Sequence, residues 1–276
     1  MNTLKEIFSS VFNTLVILIC LALGIFIYLK ILGNPINFEG GFDLIKNKVP
    51  TEKWHPIAGN YLAMMFKGGP IVPILMTVIL VLLTFSLERF ISLFRASGRG
   101  SLSKFVRNIQ TLLNEGKSEE ANAACDKQKG SLANVVKAGL HRFRALQEDK
   151  TLANDQKVLA LQKDLEEATA LELPMLSKNL VILSTIASIS VLIGLIGTVL
   201  GMIRAFASMA GSGGAPDALG LATGISEALI NTAFGISGST IAILLFNYFN
   251  SKIDAMTFKI DESNFSLAQT FASTLK

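Results

Sequence analysis

LGLATGISEALINTAFGISGSTIAILLFNYF, residues 219–249, is an apolar run long enough to cross a membrane, and it carries one carboxylate, Glu227. A hydrocarbon core of about 30 Å takes about 20 helical residues, and a charged side chain at the centre of such a helix costs roughly 2.5–3.5 kcal/mol on insertion scales. A carboxylate in that position turns toward protein or water and marks an ion pathway. Transport is the first function this stretch points to.

Three further runs are long enough to span: roughly residues 10–31, 70–94 and 180–210. Half of the 276 residues are apolar and 17% are charged, with a mean hydropathy of +0.49. That is the balance of an integral membrane protein. The expected fold class is therefore an all-α integral membrane protein with four transmembrane helices, the last two or three extended into a cytoplasmic helical bundle. The first run is apolar from Val11 to Tyr28, longer than a usual signal core, and no small-residue cleavage site follows before Lys30; it reads as a retained anchor. Arg89, Arg95, Arg99, Lys104 and Arg107 crowd the exit of the second run, and Lys252 and Lys259 follow the fourth. The positive-inside bias assigns the middle segment and the C-terminus to the cytoplasm, against a weaker opposing signal from Lys46, Lys48, Lys53 and Lys67. The even number of spans puts the N-terminus on the same side.

Between the second and third spans the chain is charged and helix-forming. Leu102, Phe105, Val106, Ile109, Leu112 and Leu113 fall on one helix face, and Asn114 to Gly116 supply a stop. Ser118, followed by Glu119 and Glu120, reads as a capped helix start. Leu132, Val135, Val136, Gly139, Leu140, Phe143 and Leu146 form a second apolar face. From Thr151 to Ala210 the strong breaker is Pro174, so a kink or break is expected there. After Pro216 no proline follows, and after Gly238 no glycine, so a helix of roughly 80 Å from Ala218 to Ser273 is expected. Ile253, Ile260 and Leu267 recur every seven residues, with Phe258 and Phe265 on a neighbouring line, as for helix-to-helix contact.

The polar residues of the last two spans are the candidates for chemistry. The third contains GLIGTVLG, residues 194–201, in which Gly197 and Gly201 form a GxxxG spacing that permits close helix approach in lipid. Thr198 lies deep in it, and a lone threonine there more often bonds the carbonyl one turn earlier. In the fourth, Glu227 and Asn231 share a helix face, whereas Thr232 is about 140° from Glu227. One narrow stripe cannot hold all three, so Glu227 is expected at a subunit boundary and Thr232 nearer a central path. Arg204, near the outer end of the third span, reads as a snorkelling side chain or a partner of Asp217.

LSTIASISVLIGLIGTVLGMIRAF, residues 183–206, followed by GISEALINTAFG, residues 224–235, closely resembles the paired signature of the MotA/TolQ/ExbB proton-channel family, of ExbB and TolQ in particular. The resemblance covers about 65 residues in two helices. It implies a homopentamer of long helices around a pore, enclosing the single transmembrane helix of an ExbD-like partner that bears a membrane aspartate. By the same resemblance Thr198, Glu227 and Thr232 belong to the ion pathway, with Asn231, Gly197 and Gly201 as secondary pore or packing positions. The implied role is a proton-channel and stator subunit of the bacterial inner membrane, energising TonB-dependent transport through a TonB-like transducer. A TolQ-like envelope motor and a non-conducting scaffold are the other readings. Where the family often has Ala-Pro, this chain has Ser190 and Val191, which puts a local kink in question. It also has an extra N-terminal span, since ExbB-like chains commonly have three.

The chain then divides into an N-terminal anchor (1–32), a periplasmic loop (33–69), a second span (70–94), a cytoplasmic helical region (95–179), a pore-forming pair of spans (180–250) and a cytoplasmic tail (251–276). No cofactor, metal or nucleic acid is expected. His55 and His141 lack metal-site spacing, and Cys20 and Cys125 offer no CxxC motif. GSGG, residues 211–214, lacks the ending of a phosphate loop and reads as a turn. The formal charge of +4 is accounted for by the basic flanks. Nothing resembles a nucleophile, base and oxyanion constellation, so the chain is not read as an enzyme.

Overall fold

A computed structural model describes residues 2–51, 54–149, 151–210 and 217–275; the expected turn at 211–214 lies outside them. The described residues are almost wholly helical. In order they form α1 (Asn2–Phe26), which continues into a π-helical turn (Ile27–Leu32), then α2 (Asp43–Lys46), α3 (Tyr61–Phe66), α4 (Val72–Ala96) and α5 (Leu102–Asn114). There follow α6 (Ser118–Gln128), α7 (Gly130–Glu148), α8 (Asn154–Ser177), α9 (Leu180–Ala210) and α10 (Ala218–Thr274). Four helical stretches, beginning at Asn13, Gly69, Asn154 and Ala218, are long and apolar enough to cross a membrane, which agrees with the four spans read from the sequence. The chain forms two compact units: 1–86 with 181–245, and 87–180 with 246–276.

The first unit holds the apolar helices and a folded loop. Residues 33–69 are not a bare connection. Phe38, Trp54 and Ala63 form a small core with Leu44, Val49 and Phe66 packed on it, and Phe38 pairs with Pro56 in an isolated antiparallel bridge. The Trp54 indole donates to the Val49 carbonyl at 2.9 Å. Asn37 donates to the carbonyls of Ile31 and Leu32, so the open carbonyls at the end of the π turn find partners. Asn60 caps α3 by accepting from Leu62 and Ala63. These side-chain bonds do in the loop what helix or sheet ladders do elsewhere.

The second unit is a helical bundle. Phe105, Ile109 and Leu113 of α5, Ala121 and Cys125 of α6, and the expected face of α7 share one core with Leu161 and Leu165 of α8 and Ile260, Leu267 and Phe271 of α10. The seven-residue line is buried, with Ile253, Ile260 and Leu267 at 7%, 1% and 3% exposure. Phe258 and Phe265 depart from expectation: at 67% and 64% exposure they stand outside that seam. Ser118 is also not a cap. It is the first helical residue after Lys117, which makes no side-chain cap.

Pro174 lies inside α8, and the break falls later, at Lys178 and Asn179. Proline removes one backbone donor without ending the helix here, whereas Asn179 adopts φ +61°, a left-handed turn that asparagine tolerates. Arg89, read from the sequence as a basic flank, is 1% exposed; it bonds Glu88 at 2.6 Å and the Leu176 carbonyl at 3.3 Å. A cation against the last carbonyls of α8 suits the helix dipole.

Cys125 is buried and free. Burial, with a smaller push from Asp126, raises its thiol to about 12. The thiolate is the reactive species, so Cys125 will resist iodoacetamide at pH 8 until the unit is unfolded, as peptide mapping by mass spectrometry will read; rapid labelling of the folded protein would contradict this. The unfolded chain gives up that proton first as pH rises, so this contribution to stability is lost above about pH 9.

Candidate functional site

α9 and α10 approach so closely that the glycines facing each other have no room for a side chain. A Cβ on Gly201 would stand 2.8 Å from the Ala228 nitrogen and the Gly224 carbonyl oxygen; one on Gly224 would stand 2.7 Å from the Ala205 nitrogen. At the other end of the seam a Cβ on Gly235 would stand 2.8 Å from the Ser190 carbonyl oxygen. Gly197 is packed under Asn231, where a Cβ would meet Cγ at 2.7 Å. Without a hydrophobic force between helices in lipid, small residues that let backbones touch are what hold them.

That approach brings two hydroxyls together. Thr198 and Thr232 are 3.0 Å apart through their Oγ1 atoms. Each also stands within bonding distance of a carbonyl on its own helix, Thr198 of Gly194 at 3.1 Å and Thr232 of Ala228 at 3.0 Å. Two hydroxyl protons thus serve three contacts, because each hydroxyl donates once. The pair can rotate its protons between the helix carbonyls and each other.

Glu227 lies on a different face of α10. It is 5% exposed, and Arg204 of α9 donates to its Oε1 at 2.5 Å. Arg204 was not expected there. Its expected alternative, Asp217, instead accepts from the Gly220 backbone at 3.0 Å and caps α10. The i to i+4 step from Glu227 leads to Asn231, fully buried, whose Nδ2 donates to the Gly68 carbonyl at 2.9 Å. Its Oδ1 has no partner among the described residues. The separation inferred from helix geometry is thus found: Thr232 faces Thr198, while Glu227 and Asn231 face Arg204 and the Gly68–Gly69 turn. α9 runs uninterrupted through Ser190 and Val191.

Arg204, Gly68 and Gly69 are the neighbours that sequence reasoning did not bring to Glu227. A basic residue 23 positions before a buried carboxylate is a usable signal for Arg204. Gly68 and Gly69 gave none, being some 160 residues away in the chain.

The MotA/TolQ/ExbB proton channel family profile matches residues 127–262. A putative biopolymer transport protein ExbB-like 3 of Synechocystis sp. is 44% identical over 88 residues, 32% of this chain and 42% of the relative. TolQ of the Tol-Pal system in Haemophilus influenzae is 25% identical over 209 residues, 71% of this chain and 87% of the relative. The biopolymer transport protein ExbB of Helicobacter pylori is 39% identical over 84 residues, 30% and 57% of the two chains. The chain therefore spans less than two thirds of the two ExbB-named relatives, and more of the TolQ.

Removing one partner of a buried ion pair strands the other. Arg204→Ala will lower the stability of the purified protein by about 3 kcal/mol, the low end for one-sided loss because Arg204 is half exposed. Adding Glu227→Gln will restore much of it, as thermal unfolding of both variants will read; additive losses would mean the two residues do not interact. Gly201→Leu, which drives a side chain into α10, will lower the thermal unfolding midpoint of the purified protein, since overpacking costs about 1–3 kcal/mol; an unchanged midpoint would contradict the close seam.

Proposed function

We propose, from the premise that this chain belongs to the MotA/TolQ/ExbB proton channel family, that it is the proton-channel and stator subunit of an ExbB-like motor in the bacterial inner membrane. The observation that carries this reading is the Thr198–Thr232 hydroxyl pair set between two apolar helices, with the buried Glu227 on another face of α10. Loop 33–69 then faces the periplasm, and the second unit lies in the cytoplasm.

In this reading five copies surround the single helices of an ExbD-like partner. The partner carboxylate, on protonation and release, is met by the hydroxyls of Thr198 and Thr232. These can donate to a carboxylate or accept from its protonated form, replacing water along the path. Each proton moving down the gradient supplies roughly 2.3 kcal/mol per 100 mV, and repeated protonation turns the partner within the ring. Glu227, tied to Arg204 on the other face, holds α9 and α10 in the register that keeps the hydroxyls paired. The work is delivered to a TonB-like transducer for transport across the outer membrane.

A TolQ-like role in envelope maintenance is the second reading. It is supported by the match to TolQ, which extends over most of that relative's length.

The test is the complex purified from its native membrane, with copy number and co-purifying chains read by intact-complex mass spectrometry, and proton flux measured in proteoliposomes. Five copies with a single-span partner are expected. Thr198→Val together with Thr232→Val is expected to cut flux at least tenfold while the stoichiometry holds. Full flux from an intact complex of the variant would overturn the assignment of the pair, and an oligomer without a single-span partner would overturn the motor.

A further inference from the structure

The loop and the N-terminal helix make a contact whose purpose the proton path alone does not explain. Gly69 stands at φ +75°, and its α-carbon rests against the Glu227 side chain. A Cβ there would overlap the carboxylate, standing 2.7 Å from its carbon and 3.3 Å from Arg204 Nη1. Gly68 is as tight: a Cβ would meet Ile230 Cγ2 at 2.7 Å, and its carbonyl takes the Asn231 Nδ2 bond. Two successive glycines thus lay bare backbone over the carboxylate and its neighbour one turn on.

The turn is itself pinned from behind. Phe66, two residues before Gly68, stacks on Tyr28 with ring centroids 4.8 Å apart, and the Tyr28 hydroxyl donates to the Phe66 carbonyl at 3.1 Å. Phe66 also meets Phe38 edge-on, and Phe38 meets Trp54 in the same way. Tyr28 sits on the π turn, where the Gly33 N–H reaches back to the Tyr28 carbonyl at 2.9 Å. Such turns locally widen a helix and re-aim its side chains. The extra N-terminal helix therefore supplies the residue that clamps the turn.

We infer that the Gly68–Gly69 turn, clamped by Tyr28 and Asn231, is the seal that keeps water from the Glu227 carboxylate, and that loosening this turn is what admits water to it. Tyr28, Asn231, Gly68 and Gly69 are positioning residues for that carboxylate. The inference rests on the reading above only for what Glu227 is used for; the cover itself is a separate claim.

The experiment is labelling of the purified full-length complex with a water-soluble carbodiimide and glycine ethyl ester, read residue by residue by mass spectrometry. Asp217, exposed at the start of α10, is the internal reference. Trp54, the only tryptophan in the chain, reports through its emission whether the loop stays folded. In the parent, Glu227 is expected to remain unmodified while Asp217 reacts. In Asn231→Ala and Gly69→Ala, Glu227 labelling is expected to rise at least fivefold relative to Asp217 with Trp54 emission unchanged. Tyr28→Phe, which keeps the stack and loses the hydroxyl bond, is expected to give a smaller rise. If Gly69→Ala unfolds the loop, Asn231→Ala decides. Equal labelling of Glu227 and Asp217 in the parent, or an unlabelled Glu227 in Asn231→Ala with Asp217 reacting, would overturn the seal. Labelling does not depend on ion flux, so the seal and the motor reading fail separately.

Discussion

Backbone contact between α9 and α10 is the constraint from which the membrane part of this protein follows. Gly194, Gly197 and Gly201 on one helix and Gly224 and Gly235 on the other leave no room for a Cβ at these positions, where only small neighbours such as Ala205 and Ala228 or the Asn231 side chain face them. Lipid offers helices no hydrophobic reason to associate, so packing and polar contacts across the seam must hold them. The same closeness brings Thr198 to Thr232. With larger residues on the seam the two hydroxyls would stand apart, and each would be left with its own helix carbonyl alone.

The seam also sorts the polar residues. α10 carries Thr232 on one side and Glu227 with Asn231 on another, and each finds a partner of the right kind: a hydroxyl for the hydroxyl, a guanidinium for the carboxylate, a backbone carbonyl for the amide. A buried charge needs an opposite charge or it destabilises the fold. Arg204 meets that need from the neighbouring helix, and Gly68 and Gly69 fit close because they carry no side chains. Loop 33–69 is thus part of the membrane unit's polar arrangement and more than a tether between two spans.

The second unit follows a simpler rule. Its helices are amphipathic, and the apolar faces of α5 and α7 find one another with α8 and the last turns of α10. Bonds such as Asn264 to Thr169 at 2.9 Å and Asn154 to the Leu275 carbonyl at 2.9 Å tie α8 to the C-terminal part of α10 and the residue after it. Local periodicity was enough to find these faces, because side-chain period and burial coincide on a surface helix. It misplaced Phe258 and Phe265, since a line next to the seam has the same spacing as the seam itself. It also misplaced the break after α8, since the left-handed turn at Asn179 leaves a weaker trace in sequence than Pro174.

The sequence by itself determined the number of apolar helices, the amphipathic faces of the bundle and the candidacy of Thr198, Glu227 and Thr232. All of these depend on composition, on period, or on a polar residue set in an apolar run, and each can be read within a few turns of one helix. The division of Glu227 and Thr232 between two faces was legible for the same reason, as it follows from 100° per residue. Tertiary structure alone decided that Arg204 pairs with Glu227 rather than Asp217, that Asn231 bonds Gly68, and that Tyr28 holds the turn over the carboxylate. Gly68 and Tyr28 lie far from α10 in the chain, Arg204 competes with other suitable groups on a neighbouring helix, and which of them meets a buried polar group is set by how the helices pack.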